Sequence, residues 1–280
     1  MNSLSTSVFP RHCDIRVRQG DLGRADAVST IGIARWLEDA RIHVRMPRFE
    51  QLGAHGEFGS HRIIFVSQWV ERSARVHRTD ADIQVHTGIR RIGRSSFTYE
   101  QAVFAGDERV GGGGATVLHL GPDGPLALPD ELIADLADLA LPEIGEAAAP
   151  RAGAERAQRG YYPFFVRLRA RISDVDSNQH VNYLALLTWY DEAVAEFTAA
   201  ALGADGLVPD LSASWYRIDY LGEVTYPGDY EIGVLVRARG EGSVAYELGL
   251  FHGHTCLGIA DAIGPRGALP AKSFASVGPR

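Results

Sequence analysis

Cysteine is scarce: the chain has only Cys13 and Cys256, far apart and without a partner motif beside either. That argues against a disulfide framework or a zinc site and fits a reducing cytoplasm. Histidine offers no substitute, since His252 and His254 have no third ligand in sight, so neither a metal nor a cofactor is expected. No apolar run approaches the roughly 20 residues of a membrane helix. The first ten residues lack the basic start and apolar core of a signal peptide. Positive charge is not in excess either. The formal net charge is −7 and no basic recognition helix is visible, so nucleic acid is not an expected partner. The glycine run Gly111–Gly114 is followed by no Lys-Ser/Thr and opens no helix, which excludes a phosphate loop. Inside a strand region such a run marks a bulge or a close backbone approach.

What is present is a repeat. The 280 residues suffice for one large domain or two of about 125 residues each. In one register Phe9–Arg41 lies on Tyr162–Val194 without a gap, matching Pro10 with Pro163, Arg16 with Arg169 and Arg18 with Arg171. Asp21 then meets Asp174, Val28 meets Val181, Trp36 meets Trp189 and Ala40 meets Ala193. A second register pairs Gly93 with Gly240, Tyr99-Glu100 with Tyr246-Glu247, Phe104 with Phe251, Gly106 with Gly253 and Gly111 with Gly258. Two registers in the same order mean a tandem duplication in which one loop changed length.

Three segments follow: residues 1–121, a connecting piece 122–160, and residues 161–280. In the connecting piece Leu128–Ala140 has the acidic start and 3–4 spacing of a short amphipathic helix. Pro142–Arg159, rich in Ala, Glu, Arg, Pro and Gly, reads as an exposed linker. In the second copy Phe164–Ile172 reads as a strand and Val181–Ala201 as a long helix. Ser212–Leu221, Tyr230–Arg239, Ser243–His252 and Thr255–Ile263 read as further strands. The helix is apolar around much of its circumference, which calls for burial. An α+β unit follows, one antiparallel sheet wrapped around one long buried helix, present twice.

The chemistry concentrates in Asp174-Val-Asp-Ser-Asn-Gln-His-Val-Asn182, directly before that helix. Unpaired N–H groups and the positive dipole end at a helix start favour developing negative charge. Asp176, Asn178 and His180 face Gly23, Ala25 and Ala27 of the first copy, so all three reactive groups are absent there together. Were they needed to make the fold, the first copy should keep some of them. Asp174 faces Asp21 and Asn182 faces Ser29, which marks these two as turn and capping residues. Trp36 and Trp189 share one helix position and read as core. Cys256 has no adjacent base and reads as inert.

A helix of this kind, begun by Asp-x-Asn-x-His-Val-Asn and wrapped by an antiparallel sheet, resembles the hotdog thioesterase superfamily (the 4-hydroxybenzoyl-CoA thioesterase-like proteins). More narrowly, the nine residues resemble the signature of the acyl-acyl carrier protein thioesterases, which are tandem hotdogs. The resemblance covers both halves and includes a weaker match at Tyr216-Arg-Ile-Asp-Tyr220. It implies a double hotdog whose second copy holds a catalytic set of Asp176, Asn178, His180 and Asp219. In that family a Glu stands where Asp219 stands, and often a Cys where Tyr220 stands. The implied reaction is hydrolysis of an acyl thioester carried on acyl carrier protein or coenzyme A, by a cytoplasmic protein that is a monomer with an internal pseudo-dimer or a homodimer. Amides near His180 would polarise the carbonyl, Asp176 and Asn178 would orient neighbouring groups, and Asp219 or His180 would take the proton from water. The arginines at Arg16/Arg18, Arg90/Arg91/Arg94 and Arg167/Arg169/Arg171 are solvated strand faces or a cradle for an anionic carrier. A non-catalytic acyl-thioester-binding module is the alternative. An enoyl-thioester hydratase is a weaker one: those enzymes place the His five residues after the Asp, whereas His180 follows Asp176 by four.

Overall fold

The computed structural model describes residues 6–23, 26–54, 62–79, 82–143, 152–176, 179–202, 212–239 and 243–265. The chain divides into two compact units, Met1–Leu22 with Gly32–Ala148, and Gly23–Ile31 with Ala149–Arg280. Among the described residues no helix is long and apolar enough to cross a membrane.

Unit one is an antiparallel sheet with few helices. Its strands are β1 (Arg11–Ile15), β2 (Arg62–Arg72), β3 (Ile83–Ile92), β4 (Ser96–Ala105) and β5 (Glu108–Gly121), with the two-residue β6 (Gly124–Pro125) beside β5. They lie in the order β1-β3-β4-β5-β2. Helix α1 (Thr30–Ile42) presses on the glycine run of β5. A Cβ at Gly113 would collide with the Leu37 side chain and stand 2.7 Å from the Trp69 carbonyl oxygen, so the run serves a close approach. The buried Gln101 amide donates to the Leu37 carbonyl at 2.9 Å and to Thr87 Oγ1 at 3.0 Å, tying helix to sheet. Helix α2 (Pro47–Ala54) opens on proline, which suits a first helical position because it has no N–H to leave unpaired. Asp135, on helix α3 (Asp130–Ala137), accepts from the Arg48 and Phe49 amides at 2.9 and 3.0 Å, satisfying two other orphan donors. Leu132 and Leu136 of α3 join Ile89, Phe97, Tyr99 and Val117 of the sheet in one buried cluster. The short helix read from the sequence thus belongs to the core of unit one.

Unit two repeats that strand order. Strands β7 (Phe164–Arg169), β8 (Trp215–Tyr220), β9 (Asp229–Arg239), β10 (Ser243–His252) and β11 (Thr255–Pro265) lie as β7-β9-β10-β11-β8. The hairpin turns match as well: Gly106 and Gly253 both take a left-handed φ, 57° and 61°, which glycine adopts without a Cβ penalty. Helix α4 (Tyr183–Leu202) packs on this sheet. Phe197 meets Phe164 and Tyr246 at ring-centroid distances of 5.2 and 6.0 Å, and Trp189 meets Tyr230 at 5.6 Å. Thr188, Glu192, Glu196 and Ala200 recur every fourth residue as an exposed stripe, so the helix buries a broad face and wets a narrow one.

Side chains alternate across a strand, so the β10 neighbours Tyr246 and Glu247 point to opposite faces. Tyr246 meets α4, while Glu247 accepts from Tyr161 Oη at 2.6 Å. The stretch expected as exposed linker covers that second face with 3-10 turns at Ala154–Ala157 and Arg159–Tyr161. The residues of 152–159 are mostly exposed, but Arg156 is buried against Asp261 at 3.0 Å and donates to the Ala260 carbonyl at 2.7 Å. Glu247, directly opposite Asp261 in the ladder, lies 3.9 Å from Arg156. A composition that reads as linker hides this because one paired charge is enough to anchor a polar segment. Removing one partner of a buried pair strands the other charge. Arg156→Ala should therefore lower unfolding free energy in urea by about 3–5 kcal/mol; a loss under about 1 kcal/mol would mean that the network does not hold the segment.

Candidate active site

The loop before α4 is built by its backbone. The Asp174 carboxylate accepts the Arg171 N–H at 2.9 Å, closing the 3-10 turn Ile172–Asp174. Val175 and Val181 then form an isolated antiparallel bridge. Between them the Asp176 N–H donates to the His180 carbonyl at 3.0 Å, and the Gln179 N–H donates to the Asp176 carbonyl at 3.1 Å. Gln179 pays for the tightness with a left-handed φ of 66°. The Asn182 N–H donates to the Asp174 carbonyl at 2.7 Å, its side-chain oxygen accepts the Leu184 N–H at 2.7 Å, and its carbonyl takes the first helical bond, from Leu186 at 3.0 Å. Asn182 is the N-cap of α4, the role its match with Ser29 implied.

The first copy builds the same loop. Asp21 accepts the Arg18 N–H at 2.9 Å, the Gly23 N–H donates to the Ala27 carbonyl at 2.8 Å, and Asp26 has φ 52° where Gln179 has 66°. The same backbone bond thus joins Gly23 to Ala27 in the first copy and Asp176 to His180 in the second.

Among the described residues the His180 N–H makes no hydrogen bond, while the Gln179, Val181, Asn182 and Leu184 amides are all donated within unit two. The His180 ring is half-buried, and its Nε2 lies 3.3 Å from Glu223 Oε2. Glu223 is held in place by its neighbours. The Leu221 and Gly222 N–H groups donate to the Leu257 carbonyl at 3.0 and 3.1 Å, and the Val224 carbonyl accepts the Val181 N–H at 2.8 Å. Tyr230 Oη bonds both the Thr225 N–H and carbonyl, at 3.0 and 2.7 Å. The sequence reading missed Glu223 because it falls after a strand in a stretch without periodicity; an acidic residue just past the strand bearing Asp219 was the available signal.

Of the other expected residues, Asn178 lies outside the described residues. Asp219 is on β8, directly opposite Ile259 of β11, with its carboxylate 3.9 Å from Arg217. It sits near the buried Tyr190 hydroxyl of α4, which makes no hydrogen bond among the described residues and whose pKa is pushed well up, first by burial and also by Cys256, Tyr162 and Asp219. His180 meets Glu223 through its ring and Asp176 through its backbone carbonyl. Among the described residues Asp219 pairs with Arg217 and with neither of these. Cys256 has its thiol pKa raised by burial, the opposite of an activated nucleophile. The arginines of β7 are exposed, Arg167 lying 3.6 Å from Glu231 and Arg169 3.8 Å from Asp229, so their charge is partly offset.

No protein-family model and no curated protein sequence matches this chain. Solved structures do match its fold. A 12:0-ACP thioesterase from Umbellularia californica superposes with a TM-score of 0.67 at 14% identity, covering 91% of this chain and 97% of that one. An acyl-ACP thioesterase from Bacteroides thetaiotaomicron VPI-5482 gives 0.68 at 12% identity, covering 90% of this chain and 96% of that one. At these identities the likeness is one of fold.

Strand β8 is held to α4 beneath the loop by one carboxylate. Asp191 accepts from Tyr216 Oη at 2.5 Å, Ser212 Oγ at 3.0 Å and the Ala213 N–H at 3.3 Å. Burial raises its pKa, and those three bonds oppose the rise without cancelling it. The folded state therefore holds the Asp191 proton more tightly than the unfolded chain, and its contribution to stability falls as pH rises from the ordinary carboxylate value of about 4. Asp191→Asn removes this titration while keeping an acceptor for Tyr216. The melting temperature of the wild type relative to Asp191→Asn should fall as pH is raised above about 4. A relative rise would mean that the bonds to the carboxylate outweigh its burial.

Proposed function

We propose that this chain is a tandem hotdog protein that hydrolyses acyl thioesters, with its active site on the loop Asp174–Asn182 of the second copy. The domains of the proposal are residues 1–121, a connector at 122–160 and residues 161–280. The observation that carries the reading is the pair of loops with one backbone and two chemistries. The backbone bond that Gly23 makes to Ala27 is the one that Asp176 makes to His180, so that bond does not itself call for a carboxylate and an imidazole. Their presence at the start of a helix in the second copy, and not in the first, supports a role toward substrate. The likeness to two structures whose names describe acyl-carrier-protein thioesterases supports the same class.

The chemistry follows from the groups in place. The thioester carbonyl approaches the His180 N–H, where an unspent donor and the positive end of α4 favour the oxyanion. With Nε2–H donated to Glu223, His180 Nδ1 takes a proton from water as the water oxygen attacks the carbonyl carbon, and Glu223 steadies the imidazolium that results. Collapse of the tetrahedral intermediate breaks the carbon–sulfur bond and releases acid and thiol, the thiolate being a better leaving group than an alkoxide. Asp176 and Asn178 orient the neighbouring catalytic groups and the substrate. Asp219, on β8, is the rival base. The carrier is acyl carrier protein or coenzyme A, and the protein works as a monomer with an internal pseudo-dimer or as a homodimer.

Thiol release from acyl-coenzyme A and acyl-carrier-protein substrates separates the roles. His180→Ala should lower kcat by about 10²–10⁴, the usual worth of a positioned base. Glu223→Gln should cost less, and Asp219→Asn less again. A larger loss in Asp219→Asn than in His180→Ala would transfer the base to Asp219. Losses under about tenfold in all three would sink the assignment. Tight binding of acyl thioesters without thiol release by the wild type would leave a binding module.

A further inference from the structure

Unit one holds a cluster that the thioester reading does not use. Cys13 lies on β1, whereas Asp39 is on α1 and His43 follows its last turn, four residues later and on the same face. One ligand atom of each, a thiol sulfur, a carboxylate oxygen and an imidazole nitrogen, lies within 4.8 Å of the other two. Cys13 and Asp39 are half-buried and His43 is exposed, so an ion could enter from solvent. His43 Nδ1 stands 2.7 Å from the Asp39 carbonyl oxygen and 3.8 Å from its carboxylate. With Nδ1–H donated to that carbonyl, Nε2 keeps the lone pair that a metal takes.

A His–Asp pair four residues apart at a helix C-terminus needs no metal to explain it. The thiol beside it is different. Cys13 comes from a different element, β1, and its sulfur lies within 4.8 Å of both the Asp39 carboxylate and the His43 ring. The Asp14 carboxylate is engaged by Gln84 Nε2 at 2.9 Å, which leaves Asp39 as the acid turned to the cluster.

We propose that Cys13, Asp39 and His43 bind one divalent transition-metal ion of the Zn²⁺ type, clipping β1 to the end of α1. Thiolate and imidazole select Zn²⁺ or Co²⁺ over Mg²⁺ and Ca²⁺, which take oxygen ligands. Three protein ligands leave a fourth, open position. Metal–ligand bonds of about 2.0–2.3 Å require ligand atoms about 3.3–3.6 Å apart, a closure that side-chain rotation supplies at this half-exposed site. The inference rests on unit one alone and stands or falls apart from hydrolysis.

Co²⁺ titration of the reduced, metal-stripped full chain tests it. One equivalent should saturate a near-ultraviolet thiolate-to-cobalt band with the visible bands of a tetrahedral site, and Zn²⁺ should displace it. Cys13→Ser should abolish the thiolate band and Cys256→Ser should retain it. His43→Ala and Asp39→Ala should each weaken Co²⁺ binding by about tenfold or more. Alkylating Cys13 in the folded Cys256→Ser protein makes the same test should Cys13→Ser fold poorly. Absence of the band in the wild type, its survival after Cys13 is substituted or alkylated, or unchanged affinity in both His43→Ala and Asp39→Ala would overturn the proposal.

Discussion

Two backbone hydrogen bonds and one left-handed residue make the candidate site possible. The Asp176 N–H to the His180 carbonyl, the Gln179 N–H to the Asp176 carbonyl and the φ of 66° at Gln179 close the loop on itself. A buried or half-buried turn must satisfy its peptide groups somewhere, and the described amides of this one find main-chain carbonyls and the Asn182 side chain. Among the described residues the His180 N–H has no such partner, and it lies where the dipole of α4 is positive. Everything chemical in this account depends on the division between a backbone that folds and side chains that act.

The supports around the loop are polar contacts placed at the edges of an apolar core. Val181 bonds the Val224 carbonyl and so sets Glu223 beside His180, while Asp191 draws Tyr216, and with it β8, onto α4. A carboxylate buried for this purpose costs desolvation, which the raised pKa of Asp191 records. The benefit is position: β8 carries Asp219, and the segment after it carries Glu223. On the far face of the same sheet Arg156, Asp261 and Glu247 do comparable work for the connector.

Much of this was legible in the sequence because duplication supplies an internal control. The matches Asp21 with Asp174 and Trp36 with Trp189 named structural residues correctly: Asp174 closes its turn and both tryptophans are buried. The strand periodicities located β7 to β11, and the expected helix Val181–Ala201 is observed as Tyr183–Leu202, since Asn182 caps it. What escaped was whatever depends on long-range folding. Glu223 sits in a stretch with no period, and its place is set by its neighbours' bonds to the Leu257 carbonyl and from the Val181 N–H. Arg156 looked like linker, because composition cannot show that Glu247 and Asp261 await it across a ladder. Cys13, Asp39 and His43 have no ligand spacing at all, and only the packing of β1 and α1 brings them together.

The most direct test gives the second copy the residues of the first. The triple variant Asp176→Gly, Asn178→Ala, His180→Ala installs at this loop the side chains of Gly23, Ala25 and Ala27, with which the first copy already forms the same backbone bond. The measurement is thiol release from acyl-coenzyme A and acyl-carrier-protein thioesters by wild type and variant, with thermal unfolding followed alongside. The account predicts turnover by the wild type, none above background by the variant, and closely similar unfolding of the two. Wild-type rates in the variant, or a variant that no longer folds, would contradict the separation of fold from chemistry on which the account rests.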